Sequence, residues 1–316
     1  MVKIQKISAI ALTVSDIDRS TDFYTQALGF KAVSDITFAA GSYSKLATIA
    51  DSKVRLVTLQ MGAEYIELIQ YLDIEAKSIP SDSQSNDLWF QHFAMVVSDM
   101  GRAYKHLKEF EIEHISTEPQ TIPKENKMGA GIRAFKFRDS DRHALELIWF
   151  PPDKRKAKWQ ENTIDLFLGI DHSAISVTDT EQSAKFYRDL LGMEKLEGPL
   201  NQGQVQADLD GLPVAQVQVT PLDAEKDGIG VEFLDYIKPG TGRSVPSDWQ
   251  IDHLSHMHYI AEVKNIESSF NELQQQGVKV VSSSVVQFPE SYRYQQGYLI
   301  KDSDGHSLLL VTDVEH

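Results

Sequence analysis

A few ionisable side chains interrupt strand-like apolar runs in this chain. His92 lies in the run 90–97 and His172 in the run 170–177, while Glu146 follows Ala144-Leu145 and precedes Leu147-Ile148. Glu67, within Tyr65-Ile66-Glu67-Leu68-Ile69, and Glu232, within Val231-Glu232-Phe233-Leu234, share that setting. Alternate residues of a strand face opposite sides of a sheet, so one side can pack on helices while the other is free for chemistry. His92 then shares a side with Ala94 and Val96, His172 with Ala174 and Ser176, and Glu146 with Ala144 and Ile148. A carboxylate on so apolar a face is costly to bury alone, which points to a metal ion or a proton-transfer partner. The chain has no Cys, so thiolate nucleophiles, disulfides and Cys-ligated zinc or iron-sulfur centres are excluded, and any metal must be held by His and carboxylates. Taken singly, each residue also has an ordinary reading. A strand His is commonly a hydrogen-bonded core residue, and a Glu alternating with Leu commonly faces water. His143 and His306, each after an Asp-Ser-Asp turn, and His253 and His256, near a loop, are read as structural.

The elements that must position these residues come in copies. Val14-Ser15-Asp16, Phe23-Tyr24 and Leu28-Gly29 recur as Val177-Thr178-Asp179, Phe186-Tyr187 and Leu191-Gly192, each 163 positions later. Asp139-Ser140-Asp141 with His143 recurs at the same offset as Asp302-Ser303-Asp304 with His306, and Pro80-Ser81-Asp82 with His92 recurs 166 later as Pro246-Ser247-Asp248 with His258. A fainter copy, Val97-Ser98-Asp99, divides the first half, so the chain reads as four modules. Strand-like runs open them at 7–14, 90–97, 170–177 and 256–263. A helix is expected after each. In module one, Ser20, Phe23, Tyr24, Ala27 and Leu28 fall on one helical face, with Asp16 as cap and Gly29 as stop. Short β-branched or alternating runs follow, including 46–49, 54–60, 65–71, 131–137 and 144–149. Residues 78–86, rich in Ser and Asp, and 151–163, rich in Pro and Lys, read as linkers. The predicted organisation is a first domain over 1–150, a linker over 151–165 and a second domain over 166–316, each holding two modules.

The bulk properties narrow the function classes. With 316 residues, 41% of them hydrophobic, the chain can bury two ordinary cores. A net charge of -15 repels phosphate backbones and anionic bilayers, so neither nucleic acid nor a membrane is the expected partner. The apolar run at the N-terminus is about eight residues, too short for a signal-peptide core or a span, and a cytoplasmic location is expected.

His172-Ser173-Ala174-Ile175-Ser176-Val177, followed by Ser183, Phe186-Tyr187 and Leu191-Gly192-Met193, resembles the opening signature of glyoxalase I, departing at Ser173 where a β-branched residue is usual. The paired Asp-Ser-Asp-Arg/Gly-His turns are also similar to those of the vicinal oxygen chelate superfamily, which includes glyoxalase I, bleomycin-resistance proteins and extradiol dioxygenases. The resemblance covers about residues 5–150 and 168–312. It implies an α+β fold in which four βαβββ modules form two half-barrels with helices outside.

It also implies ligand positions, one on each opening strand and one on each closing strand. Those positions hold Ala9, His92, His172 and His258, then Glu67, Glu146, Glu232 and Leu309. If neighbouring modules share a barrel, each site lacks one ligand. If modules two and three share a barrel, His92, Glu146, His172 and Glu232 make a complete set, and Ala9 and Leu309 fall together with Glu67 and His258. The exchanged pairing is the simpler history, with one intact site and one degenerate one. Two imidazoles and two carboxylates suit one divalent ion such as Zn, Ni, Fe, Co or Mn. The implied activity is that of a glyoxalase I-like lyase or isomerase on a small oxygen-chelating substrate, with Glu146 or Glu232 as general base. Two alternatives stand beside it. One is an iron extradiol-type dioxygenase using His172, His258 and Glu232; the other is a metal-free small-molecule binder of bleomycin-resistance type. A tandem chain can complete both barrels as a monomer, and a homodimer is also compatible.

Overall fold

The computed structural model describes residues 2–313 except 42, 48, 50 and 161–163. Its four modules each open on a long strand: Ile4–Thr13, Gln91–Val97, Phe167–Val177 and Met257–Val263. The first module closes on Glu64–Tyr71, the second on Ala144–Trp149, the third on Gly230–Lys238 and the fourth on Ser307–Asp313. In every module the closing strand lies parallel to its own opening strand, as a crossover connection requires.

The helices start where the sequence places caps. Asp16, in extended conformation, accepts hydrogen bonds from the backbone N–H of Asp18 and Arg19 at the start of helix Ile17–Gln26. Such a cap contributes about 1 kcal/mol. Gly29 ends that segment at φ 73°, a left-handed conformation in which a side chain would be strained. Asp99, Asp179 and Asn265 cap the other three in the same way. The third helix departs from expectation, because after Thr180–Ala184 it widens into a π turn over Lys185–Leu190. The run 46–49 is also not a strand. A 3-10 turn occupies Tyr43–Leu46, and residue 48 lies outside the described residues. Of the predicted linker, 161–163 lie outside them too, while Trp159 anchors its middle, buried and stacked on Phe150.

Two curled sheets result, and each mixes the two halves of the chain. One has nine strands, with Met257–Val263 antiparallel to Ile4–Thr13 at its centre, so modules one and four share it. The other has ten, with Gln91–Val97 antiparallel to Phe167–Val177, so modules two and three share it. A single large core holds both sheets together: Ile7 and Ile10, Phe93 and Met95, Ile175 and Tyr259 meet the apolar faces of the helices there. The opposite faces of the sheets are the concave interiors. That of the nine-stranded sheet is filled by Phe38, Tyr43, Tyr71, Tyr292 and Tyr294. On the interior of the ten-stranded sheet the described residues form two smaller apolar clusters, around Phe90 and Trp159. Between them lies a polar centre.

Candidate metal centre

Strand register builds this centre. On the ten-stranded sheet His172 pairs with Ala94, and Ala94 pairs on its other side with Glu146. His92 pairs with Ala174, which pairs with Glu232. Two rows thus cross the sheet on one face, each with a methyl group in the middle and a donor at either end. The ring centroids of His92 and His172 are 5.8 Å apart. Ligand atoms of His92, Glu146 and His172 all lie within 4.8 Å of one another, and among the described residues no other trio of His, Asp and Glu converges so. Glu232 adjoins the trio through His172, with Oε2 3.5 Å from His172 Nε2. All four are buried or nearly so, and all line a cavity of about 230 Å³.

The donor set fits a divalent ion. His92 Nε2 and Glu146 Oε2 are 2.6 Å apart, yet neither ring nitrogen of His92 has an aligned hydrogen-bond partner. The two atoms meet at hydrogen-bond distance without hydrogen-bond direction, as donors converging on a shared third atom do. Burial, reinforced by the charge of Lys136, holds His92 down to about 4, leaving the neutral imidazole that a metal requires. Burial works against the charge on His172 too, but Glu232, Asp171 and Glu146 outweigh it and push this imidazole up to about 9. A site that holds a histidine protonated at neutral pH has a strongly negative potential, which a divalent cation would satisfy in place of the proton.

Supporting groups complete the centre. A register shift between Ile170 and His172 places Asp171 in a bulge, where Oδ2 reaches His172 Nδ1 at 2.9 Å while Oδ1 pairs with Lys156 at 2.8 Å. A carboxylate on the far nitrogen fixes the ring's orientation and leaves Nε2 facing the cavity. Lys136 pairs across the strands with Glu146, and its ammonium donates to Asp210 Oδ1 at 2.7 Å. Asp210 ends the short helix Gln204–Asp210, and Gln206 on that helix donates to its other oxygen at 2.7 Å. Burial works against the charge on Glu146, but the contact with His92 and then the charges of Lys136 and His172 outweigh it and hold this carboxyl down to about 2.

Lys136, Asp171 and Asp210 are not among the candidates legible from the sequence. Lys136 carries the same signal as the glutamates, a charge alternating within Phe135-Lys136-Phe137, and Asp171 directly precedes His172. Asp210 left no such mark, because a loop-borne helix brings it to Lys136.

The interior of the nine-stranded sheet has the same frame with different residues. Glu67, Ala11 and His258 form one row, and Ala9, Ile260 and Leu309 the other. Burial pushes Glu67 up to about 7, and its Oε2 accepts from the Tyr292 hydroxyl at 2.7 Å. His258 Nδ1 faces His256 Nε2 at 3.0 Å, and burial holds His258 down to about 3. His258 is therefore on a different sheet from His172 and Glu232, and those three do not meet. His143 and His306 are bound into turns: His143 bridges Asp139 and the carbonyl of Thr13, and His306 reaches the carbonyl of Ser176.

The chain matches the Glyoxalase/Bleomycin resistance protein/Dioxygenase superfamily over residues 6–147 and 169–310, and it belongs to that family. Glyoxalase I from Zea mays has a similar structure, with a TM-score of 0.61 at 18% identity over 99% of this chain and 92% of that one. A putative dioxygenase from Bacillus subtilis subsp. subtilis str. 168 follows, with a TM-score of 0.57 at 14% identity over 100% of this chain and 87% of that one. At these identities the likeness is one of fold. No curated protein matches the chain. Among the described residues no helix is long and apolar enough to cross a membrane.

Proposed function

We propose that the concave face of the ten-stranded sheet is a divalent-metal centre and that the protein is a glyoxalase I-like lyase or isomerase for a small substrate bearing neighbouring oxygens. The observation that carries this reading is the convergence of His92, Glu146 and His172 from two modules, with both His92 nitrogens lacking an aligned partner. His92, Glu146, His172 and Glu232 would hold the ion. When bound, the ion would supply Lewis acidity, drawing electron density from a substrate carbonyl and acidifying the carbon beside it.

The protein's own groups divide the remaining work. Glu232 is the less enclosed of the two carboxylates, and burial, the largest influence on it, raises it above its ordinary value. It takes the proton from the acidified carbon, and the C–H electron pair becomes a carbon–carbon double bond while the carbonyl π pair moves onto its oxygen. The proton then returns to the former carbonyl carbon, and the hydroxyl proton of the first carbon passes to the oxygen left negative there, so that carbonyl and hydroxyl exchange places. Glu146, held ionised by its contact with His92 and by Lys136 and His172, stays at the centre. Asp171 keeps His172 oriented, and Lys136 contributes positive potential where negative charge gathers on substrate oxygen. Ile132, Ile148, Phe150 and Leu234 give the cavity apolar walls that exclude water from the transferred proton.

Metal analysis of protein purified without a histidine tag tests the centre. One ion per chain is expected, lost in His172→Ala and Glu146→Ala and kept in His258→Ala. Deuterium exchange from solvent into a 2-hydroxycarbonyl compound tests the chemistry and should fall roughly 10²–10⁴-fold in Glu232→Gln. A protein without bound or bindable metal would instead be a small-molecule binder.

A further inference from the structure

In the first half, Arg138 and Arg142 tie the segment 80–83 to the sheet. Arg142 pairs with Glu113 and donates to the carbonyl of Ser81 at 2.9 Å, and Arg138 donates to the carbonyl of Ser83 at 2.8 Å. Glu113 faces Arg138 across the strands. Arg142 sits at a left-handed φ of 73°, as the equivalent turn position Gly305 does at 101°.

The second half keeps the frame and changes the charges. Lys301 stands where Arg138 does, Gly305 where Arg142 does, and Lys279 faces Lys301 across the strands as Glu113 faces Arg138. The guanidinium that would reach segment 246–249 is missing, and a groove of about 680 Å³ opens there. Phe186, Leu190, Val245 and Trp249 line it beside the two lysines. Like charges directly opposite on neighbouring strands repel. Among the described residues neither lysine ammonium has an ion pair or hydrogen bond, and burial and Lys279 hold the Lys301 ammonium below its ordinary value. The aspartates at the rim are otherwise engaged. Asp302 accepts from Tyr187 and from three backbone N–H groups, of Asp304, Gly305 and His306, and Asp304 accepts from the backbone and hydroxyl of Thr178.

We propose that this groove is a second ligand site, separate from the cavity on the ten-stranded sheet, for a small molecule with a carboxylate or phosphate head between Lys279 and Lys301 and an aromatic or apolar body against Phe186, Leu190 and Trp249. The anion supplies the counter-charge that Glu113 supplies in the first half, and the body fills the volume that Arg142 fills there.

Calorimetric titration of the full chain with phenylacetate, phenyl phosphate, inorganic phosphate and uncharged benzyl alcohol tests this. At least one aromatic anion should bind, and Lys301→Gln and Lys279→Glu should each weaken it roughly tenfold or more. His172→Ala and Glu146→Ala should leave the binding unchanged. Tighter binding of phenyl phosphate or of phenylacetate supports the site equally and assigns its head group. Unaltered binding in both lysine variants, loss in His172→Ala, equal binding of benzyl alcohol, or no binding of either aromatic anion up to about 10 mM would overturn it.

Discussion

Ala94 stands directly opposite His172 across the antiparallel opening strands and is level with Glu146 on its other side. The row Lys136, Glu146, Ala94, His172 therefore crosses four strands, with a single methyl group between the two donors. Ala174 does the same between His92 and Glu232.

These two alanines keep the space between the donors open. Ala94→Leu and Ala174→Leu should each reduce metal affinity by a factor of about 10–100, in the range of losses seen when groups supporting a ligand shell are altered. The added side chain should also cost about 1–3 kcal/mol of stability as overpacking. Metal titration with a chromophoric chelator, beside urea unfolding, measures both. Full affinity in both variants would mean that the rows do not frame the site.

Asp171 acts through His172. Asp171→Asn keeps the volume and removes the carboxylate, so metal affinity should fall about 10–100-fold. Imidazole resonances of His172 in a labelled sample should shift, while those of His258, on the other sheet, should not.

Lys136 and Asp210 form a buried ion pair, and removing one partner leaves the other charge without compensation. Lys136→Met should destabilise the fold by about 3–5 kcal/mol. The double variant Lys136→Met with Asp210→Asn should recover much of that loss. Denaturant midpoints of the two single variants and the double variant measure the coupling.

Glu67 makes stability depend on pH. Burial pushes its carboxyl from the ordinary 4.5 to about 7 in the folded protein, so between those values the native state binds more protons than the unfolded chain. Stability therefore falls as pH rises from about 4.5 to about 7, by about 3 kcal/mol from this group, and levels off above. Glu67→Gln should remove that decline, so that its stability relative to the parent improves between pH 5 and pH 8. Parallel pH profiles for the two proteins would refute the assignment.

Much of this architecture was legible in one dimension. Repeated Val-Ser/Thr-Asp, Phe-Tyr and Leu-Gly landmarks disclosed the modules because each copy needs the same cap, helix face and left-handed stop. Two-residue alternation correctly put Phe93, Met95 and Val97 on the core side of their strand, and His92 with Ala94 and Val96 on the other. Alternation states which face a residue occupies and says nothing of which strand lies beside it. Only the tertiary structure decided that modules two and three share a sheet, that Ala94 falls level with both Glu146 and His172, and that His258 lies on the other sheet. The bulge at Asp171 breaks the alternation, so its side chain could not be placed by counting. Lys136 meets Asp210 across 74 positions, and the groove beside Lys301 depends on a guanidinium that Gly305 lacks. Relations of that kind arise from packing between distant segments, which local periodicity does not encode.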